Sequence, residues 1–158
     1  MLDFIDNFLP YKEYEYVINY CLSSPYYYGE TDNPGNRPTG MTSNISNDSF
    51  IFKIFDKAIQ EKVDQVKNLP IHRMYINCFA PDEKAFFHTD GNQGFTCLFY
   101  VNPDYDVNDG GETQFIVNSS GINILPLPNR LSFFKVPLLH RATSFRNKHR
   151  FTIAIKYL

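Results

Sequence analysis

The chain lacks several features that would place it in a common class at once. It contains no Trp, no CxxC pair and no internal repeat, and its three cysteines (Cys21, Cys78 and Cys97) are widely spaced. A disulfide framework is therefore not expected, and free thiols indicate a reducing compartment. We expect the cytoplasm, because Asp3 and Asp6 occupy the segment in which a secretion signal would be basic.

Charge and hydropathy exclude two further classes. The 15 Lys and Arg residues are outnumbered by 17 Asp and Glu residues, which gives a net charge of -2. There is no basic excess to attract a phosphate backbone, so a nucleic acid is not an expected partner. No apolar stretch approaches the length of a membrane-spanning helix, so no membrane contact is expected either.

The sequence is rich in aromatic residues, and its first part has a different pattern from the rest. Its 15 Phe and 11 Tyr favour a β-rich core, because aromatic side chains suit a pleated, half-buried surface. The length predicts a single domain over residues 1–158. Residues 10–22 and 49–68 have apolar side chains at helical spacing. The Gly- and Pro-rich segment 29–49 predicts a long mobile loop at the border of an active site.

Residues 71–158 have the pattern of short strands separated by turn residues. Their number and spacing favour a double-stranded β-helix, the jelly roll of cupin-like proteins. We therefore expect a mainly β fold with N-terminal helices, in which residues 1–70 support a core formed by the rest of the chain. The predicted strands are 71–80, 85–89, 94–102, 112–117, 121–127, 130–136, 140–145 and 150–158.

One spacing of histidine and aspartate is the strongest chemical signal. His88 and Asp90 are two residues apart, and His140 follows His88 by 52 residues. Two imidazoles and one carboxylate are the ligand set of non-haem Fe(II) sites, where they hold one face of the metal and leave the other open. On a strand, His88 and Asp90 would lie on the same face, and His140 would reach them from another strand. These three residues are the predicted metal ligands.

The same residues also allow a plainer interpretation. A His-x-Asp pair often occurs by chance, and a core histidine hydrogen-bonded to an aspartate needs no metal. The joint pattern favours the metal site, because Arg150 follows His140 by ten residues on the last predicted strand. A guanidinium can bind a carboxylate through two parallel hydrogen bonds. Arg150 therefore predicts a keto-acid cosubstrate beside the metal.

Hydroxyl groups near Arg150 are candidates for further hydrogen bonds to that carboxylate. Thr152 shares a face with Arg150, and Thr96 and Tyr100 share a face of another predicted strand. Tyr75 lies on the strand that precedes the metal motif. For each tyrosine in a chain with 11 of them, a core aromatic residue is the alternative.

Four segments of the chain resemble the catalytic core of the prolyl 4-hydroxylase branch of the Fe(II)/2-oxoglutarate dioxygenases: HTDGNQGFTCLFYVN, GGETQF, LPNRLSFFKVPLLHRATSF and RFTIAIKY. The similarity covers about residues 71–158, and the motifs occur in the family's order and spacing. Residues 1–70 match only loosely, as helical support. In one departure, Phe79 or Cys78 replaces a family tyrosine near the end of the first core strand.

The resemblance implies a role for each matching residue. The three predicted ligands would bind Fe(II), and Arg150 would pair with the distal carboxylate of 2-oxoglutarate. Tyr100 stands at the position of a family tyrosine that reaches the same carboxylate, and Tyr75 would line that pocket. The implied reaction uses O2 to hydroxylate a C–H bond and yields succinate and CO2, with ascorbate as the expected reductant.

Three hypotheses about the function are open at this point. The first is hydroxylation of a prolyl residue in a peptide or protein. It is favoured by the family branch and by the run Tyr26-Tyr27-Tyr28, since Pro-rich ligands bind aromatic grooves. The second is the same chemistry on a free amino acid or another small metabolite. The third is a jelly-roll binding module without catalysis, against which the intact ligand set and Arg150 argue.

Overall fold

Two helices and ten strands make up the fold, which a computed structural model describes from residue 1 to residue 158. The helices are α1 (Tyr11–Ser23) and α2 (Phe50–Lys62), and a short 3-10 helix (Asp64–Val66) follows α2. The strands are β1 (Leu2–Ile5), β2 (Tyr27–Tyr28), β3 (Met41–Asn44), β4 (Ile71–Phe79), β5 (Phe95–Tyr100), β6 (Thr113–Val117), β7 (Ser120–Ile124), β8 (Arg130–Lys135), β9 (His140–Ala142) and β10 (Arg150–Tyr157).

Both helices form where the apolar periodicity predicts them. Helix α1 buries Tyr14 and Cys21 on one face. In α2 the Ser49 hydroxyl oxygen accepts a hydrogen bond from the Phe52 N–H, which satisfies a backbone donor that the first turn leaves unpaired. The α-helix ends before the predicted residue 68, because Val63 leaves helical geometry with φ −121° and ψ 88°. No helix is both long enough and apolar enough to cross a lipid bilayer.

The strands form two antiparallel sheets that face each other. The larger sheet has the order β1-β8-β5-β10-β4-β3-β2, and the smaller has the order β7-β6-β9. Phe115 of the smaller sheet contacts Phe134 of the larger one, with ring centroids 5.1 Å apart. Leu98, Tyr100 and Ala154 belong to the same apolar cluster between the sheets. This arrangement confirms the predicted double-stranded β-helix.

The two helices cover the outer face of the larger sheet. Phe99 of β5 lies 5.0 Å from the Phe55 ring of α2 and 6.0 Å from the Tyr14 ring of α1, measured between ring centroids. All three side chains belong to the largest apolar cluster of the protein. Burying one such side chain contributes roughly 1.5–3 kcal/mol to stability. The helical support therefore keeps the sheet rigid while its other face carries the site.

Two expectations about the chain's elements are wrong. The segment 29–49 is not one continuous loop, because β3 lies within it and pairs with β4. Pairing with a neighbouring strand overrides the polar composition of this segment. The predicted strand over 85–89 is also absent as a regular element: within it only His88 pairs, in an isolated bridge with His140. The mobility of the remaining loop stays a prediction.

Candidate active site

Three side chains from distant parts of the sequence meet between the two sheets. One potential ligand atom each from His88, Asp90 and His140 lies within 4.8 Å of the others. The His88 Nε2 is 3.7 Å from Asp90 Oδ1, and the His140 Nε2 is 3.6 Å from Asp90 Oδ2. Imidazole and carboxylate donors at this spacing can surround one divalent transition metal. The structure thus brings together the three residues that the sequence predicted as ligands.

Backbone pairing sets the positions of the two histidines. The His88 N–H donates to the His140 carbonyl oxygen at 2.9 Å, and the His140 N–H donates to the His88 carbonyl oxygen at 2.9 Å. His140 begins β9, which is itself paired with β6. His88 is therefore held opposite its partner although it lies outside any regular strand.

Each imidazole is oriented through its other nitrogen. The Nδ1 of His88 lies 3.0 Å from the Phe86 carbonyl oxygen, and the Nδ1 of His140 lies 2.8 Å from the Leu138 carbonyl oxygen. Because a carbonyl oxygen can only accept, each Nδ1 carries the proton, and each Nε2 presents a lone pair on the side of Asp90. Metal-binding histidines are held in the same way.

Burial and charge keep His140 and Asp90 in the protonation states that a metal needs. His140 is packed against Phe134 and Phe115, with ring centroids 4.7 Å and 5.7 Å away. Burial lowers the pKa of His140 to about 4, although Asp90 acts in the opposite direction. Burial raises the pKa of Asp90, but the charge of Lys156 and the hydrogen bonds from Lys156 and Thr96 outweigh it and lower the pKa to about 2. A neutral imidazole and an ionised carboxylate are the forms that coordinate metals.

One oxygen of Asp90 is already engaged by two neighbours. The Thr96 hydroxyl donates to Asp90 Oδ2 at 2.6 Å, and the Lys156 ammonium forms an ion pair with the same oxygen. Oδ1 accepts no hydrogen bond from the protein. The sequence predicted Thr96 as a contact of the cosubstrate. In the structure its hydroxyl group is hydrogen-bonded to Asp90 instead.

Lys156 is a site residue that sequence reasoning missed. Arg150, Thr152, Ala154 and Lys156 alternate along β10 and all line the same cavity, as side chains two residues apart on a strand must. Arg150 and Thr152 already share a face of the last predicted strand. Counting on along that face by two residues at a time reaches Ala154 and then Lys156, so the sequence alone could have identified Lys156.

A cavity of about 350 Å³ connects the three predicted ligands with Arg150. The guanidinium of Arg150 is buried, with only 1% of the residue exposed. Its Nε donates to the Gly111 carbonyl oxygen at 2.7 Å, and its Nη2 donates to the Thr113 Oγ1 at 2.9 Å. No Asp or Glu side chain forms an ion pair with it. Because a buried charge without a counter-ion is costly, an anion would be strongly stabilised at this end of the cavity.

Thr152 adds a second unsatisfied group beside Arg150. Its Oγ1 is buried and has no hydrogen-bond partner in the protein, and the residue lines the cavity. A buried hydroxyl without a partner carries a desolvation cost that a bound carboxylate oxygen would remove. Thr152 and Arg150 therefore fit the carboxylate of a keto acid.

Tyr100 is placed differently from the expectation. Its hydroxyl donates to the Thr113 Oγ1 at 2.8 Å, and its ring lies 5.6 Å from the Arg150 Cζ. Tyr100 does not line the cavity, whereas Thr113 does. The Thr113 oxygen accepts from both Arg150 and Tyr100, so its own proton is free to be donated into the cavity. The alternating pattern of GGETQF is the sequence signal that could have identified Thr113.

The two glycines before β6 form a turn that places the Gly111 carbonyl oxygen beside Arg150. Gly111 has φ +80°, and a Cβ atom there would lie 2.4 Å from the Phe145 ring. Only glycine fits a position that combines a left-handed backbone with such a close approach. The turn therefore places the Gly111 carbonyl oxygen where it accepts from Arg150.

Tyr75 lines the cavity, as the sequence predicted. The Arg73 guanidinium lies over its ring, 4.1 Å from the centroid. Burial raises the pKa of Tyr75, so its hydroxyl stays protonated and can donate a hydrogen bond to an anion in the cavity.

Residues 29–40, which we call the mouth loop, form part of the cavity wall through Glu30, Thr31, Asp32 and Thr39. The two carboxylate oxygens of Glu30 accept from the Arg73 guanidinium at 2.8 and 2.9 Å. The Asp32 Oδ2 accepts from the Phe86 N–H at 2.9 Å, two residues before the predicted ligand His88. The mouth loop is thus tied both to β4 and to the segment that carries the metal motif.

A family comparison agrees with this site. The model of the 2OG-Fe(II) oxygenase superfamily matches residues 62–157. No curated protein has a significantly similar sequence.

Solved structures with a similar fold include several prolyl hydroxylases. A prolyl hydroxylase from Trichoplax adhaerens, in complex with a hypoxia inducible factor oxygen degradation domain peptide fragment, has a TM-score of 0.79 at 18% identity, covering 99% of this chain and 83% of its own. A prolyl-4-hydroxylase from Pseudomonas putida has a TM-score of 0.77 at 13% identity, with coverages of 99% and 91%. The viral collagen prolyl hydroxylase of Paramecium Bursaria Chlorella virus-1 has a TM-score of 0.74 at 16% identity, with coverages of 99% and 94%. At these identities the likeness establishes the shared fold.

The matched range spans more than half of the chain and contains every residue of the predicted ligand set together with Arg150. The chain belongs to the 2OG-Fe(II) oxygenase superfamily and is a 2-oxoglutarate-dependent dioxygenase.

Proposed function

We propose that this dioxygenase hydroxylates a prolyl residue in a peptide or protein, with succinate and CO2 as coproducts. The observation that carries the proposal is a single cavity that holds both the three convergent ligand atoms and a buried guanidinium without a counter-ion. A metal site by itself does not explain the buried Arg150. An anion site by itself does not explain two histidines whose Nε2 atoms face one carboxylate. A metal that binds together with an anionic cosubstrate explains both.

His88, Asp90 and His140 are the proposed Fe(II) ligands. Bound Fe(II), together with 2-oxoglutarate and O2, supplies the oxidising chemistry that attacks a C–H bond. The protein holds the ligands in place before the metal arrives, since both Nδ1 atoms are hydrogen-bonded to backbone carbonyl groups. The low pKa of His140, about 4, keeps its lone pair available.

Arg150, Thr113 and Thr152 are the proposed partners of the distal carboxylate of 2-oxoglutarate. Arg150 supplies the charge, and the two hydroxyl groups supply donors that no other residue occupies. Tyr75 is a further proposed donor, on the strand β4 that pairs with β10. Charge-assisted hydrogen bonds of this kind are about twice as strong as neutral ones, which fits a site that must hold a small dianion.

Apolar side chains form part of the wall around the proposed metal site. Leu98, Phe134 and Ala154 line the cavity between the sheets. Their role in the proposal is to exclude water from the reacting groups, so that oxidation is directed at the substrate.

The prolyl substrate is supported by the entrance of the cavity and by the structural neighbours. Thr42 lines the cavity and pairs with Tyr27 of β2, and both Tyr27 and Tyr28 are exposed. An exposed aromatic pair beside an entrance suits an extended Pro-containing segment. Three proteins of similar fold are prolyl hydroxylases, one of them in complex with a peptide fragment.

The test is hydroxylation of defined peptides by the anaerobically purified protein supplied with Fe(II), 2-oxoglutarate, ascorbate and O2. Proline-containing peptides and matched peptides with alanine at each proline are compared, with succinate and hydroxyproline measured in the same samples. Hydroxyproline that forms only in the proline peptides supports the proposal. Succinate formation stimulated by free amino acids, without hydroxyproline in any peptide, would move the substrate to the small-metabolite class. A protein that binds neither Fe(II) nor 2-oxoglutarate would be the binding module instead.

A further inference from the structure

We propose that Lys156 sets the charge of the metal site: its ammonium group, held against the carboxylate ligand Asp90, weakens binding of the divalent ion and favours Fe(II) over Fe(III). The inference rests on the proposed Fe(II) ligands. It adds an electrostatic residue that is neither a ligand nor a contact of the 2-oxoglutarate carboxylate.

The backbone holds Lys156 in this position. It lies within the central strand β10, with Thr96 of β5 as its partner on one side and Arg73 of β4 on the other. Its Nζ reaches Asp90 Oδ2 and lies 3.4 Å from the Thr96 Oγ1. The side chain is only 16% exposed, so neighbouring residues prevent the ammonium from turning away into solvent.

The charges around the metal position differ from those of the ligand set alone. Two neutral imidazoles and one carboxylate carry a net charge of −1, which the Lys156 ammonium offsets. A second carboxylate, that of Asp32, lies 3.6 Å from the His88 Nδ1, so the surroundings of the metal position keep a net negative charge. The other cation beside the cavity entrance, Arg73, is neutralised through both of its terminal nitrogens by Glu30. Arg150 lies at the opposite end of the cavity, where the proposed cosubstrate would neutralise it. Lys156 is therefore the cation that acts on the metal.

The consequence for the oxidation state follows from Coulomb's law. Repulsion between the ammonium and the ion is proportional to the ion's charge, so Fe(III) is destabilised about one and a half times as much as Fe(II). Because the side chains of Lys156 and Asp90 are only 16% and 8% exposed, solvent screens this difference less than it would at the protein surface. A raised Fe(III)/Fe(II) potential would protect the enzyme from oxidation while no substrate is bound.

Lys156 also determines which carboxylate oxygen can face the metal. Both Lys156 and Thr96 engage Oδ2 of Asp90, and Oδ1 accepts no other hydrogen bond. Thr96 shares this orienting role but has no charge. The two neighbours can therefore be separated by experiment, since only one of them acts on the potential through its charge.

The test compares Lys156→Met, which keeps the length of the side chain but removes its charge, with Lys156→Arg, which keeps the charge. Thr96→Val removes the uncharged contact, and Lys57→Met, at an exposed position of α2, is the matched surface control. Mn(II) affinity is measured by calorimetry without 2-oxoglutarate. The midpoint potential of the iron-loaded protein is measured by a redox titration followed by electron paramagnetic resonance.

We expect Lys156→Met to bind Mn(II) about tenfold more tightly and to have a lower midpoint potential. Lys156→Arg and Lys57→Met should remain close to the unmodified protein. Thr96→Val should weaken Mn(II) binding, because it loosens the carboxylate without removing a charge. Lys156→Gln serves as the neutral variant if the methionine variant does not fold.

The proposal is overturned if the folded neutral variant has unchanged or weaker Mn(II) affinity and an unchanged potential while the unmodified protein binds the metal. An unmodified protein that binds neither Mn(II) nor Fe(II) would instead refute the proposed metal site itself, and the role of Lys156 with it. Circular dichroism of each variant shows that the comparison is made between folded proteins.

Discussion

His88 and His140 exchange two backbone hydrogen bonds, each 2.9 Å long, while their imidazole rings lie with centroids 4.5 Å apart. Residues paired in this way across antiparallel chains have their side chains on the same side. The pair therefore joins the segment of the His-x-Asp motif to β9, and the two proposed ligands cannot move independently. This pairing supports the proposal of a metal site that is formed before the metal binds.

Removing one ligand should abolish both metal binding and catalysis. We expect His140→Ala to lose Fe(II) binding and to reduce succinate formation by at least roughly 100-fold, since a facial site cannot retain the metal with two ligands. His149→Ala is the matched control, because His149 is exposed and outside the cavity. Equal loss of turnover in both variants would argue against a metal site at His140.

Replacing Arg150 should weaken 2-oxoglutarate binding without lowering the stability of the folded protein. Arg150→Met should raise the KM for 2-oxoglutarate roughly 10- to 100-fold, the size expected for the loss of charge-assisted hydrogen bonds. The same variant should be at least as stable without cosubstrate, because it removes a buried charge that lacks a counter-ion. Thermal unfolding with and without 2-oxoglutarate checks both effects, since only a protein that binds the ligand is stabilised by it. A variant stabilised by 2-oxoglutarate as much as the unmodified protein would contradict this role.

The hydrogen bonds around Arg150 predict unequal effects at two hydroxyl groups. Thr113→Val should raise the KM for 2-oxoglutarate by about tenfold, because it removes a cavity-facing donor and leaves Arg150 and Tyr100 without their acceptor. Tyr100→Phe should have a smaller effect, because the Tyr100 hydroxyl is bound to Thr113 and does not reach the cavity. Kinetics of the two variants at varied 2-oxoglutarate give the comparison. The reverse order would place Tyr100 in direct contact with the cosubstrate.

Acid should destabilise the metal-free protein in a range set by His140. Its pKa is about 4 in the folded protein against an ordinary value of 6.5, so between these values the unfolded chain binds a proton that the folded chain does not. The free energy of unfolding therefore falls as the pH decreases from 6.5 towards 4, by at most roughly 3 kcal/mol. Asp90, lowered from 3.8 to about 2, adds a second decrease below pH 3.8.

Denaturant titrations at neutral pH and at about pH 4.5 measure this loss of stability. A His140→Phe variant should lose most of it, because phenylalanine keeps the packing but takes up no proton. His149→Ala should retain it. An unchanged difference in the His140→Phe variant would show that another group takes up the proton.

The mouth loop should open when its ion pair is removed. Glu30→Gln weakens the bidentate contact with Arg73, and hydrogen exchange in residues 29–40 should increase. Global stability should change by about 1 kcal/mol or less, because both side chains are partly exposed. Asp104→Asn, which weakens the surface pair with Lys148, is the control. Unaltered exchange in residues 29–40 would show that the remaining hydrogen bonds, those of Asp32, Asn33 and Gly40, are enough to hold the loop.

The sequence predicted the elements whose signal is local. Apolar residues at helical spacing located α1 and α2. Most core strands follow their predicted runs, but no regular strand forms over 85–89 and β9 ends at Ala142 instead of residue 145. It failed for β1 and β3, which are four residues each and form only by pairing with β8 and β4. Short strands of this kind have no pattern of their own that exceeds the variation of an ordinary loop.

The sequence by itself determined the candidate chemistry of this protein, since the residue types of His88, Asp90, His140 and Arg150 and their order restrict the possible sites to very few. The tertiary structure alone decided how the neighbouring groups are used. It placed Thr96 and Lys156 on one oxygen of Asp90, and it interposed Thr113 between Tyr100 and Arg150. These contacts depend on distances of a few ångströms between strands that are far apart in the chain, and spacing along a sequence does not encode such distances.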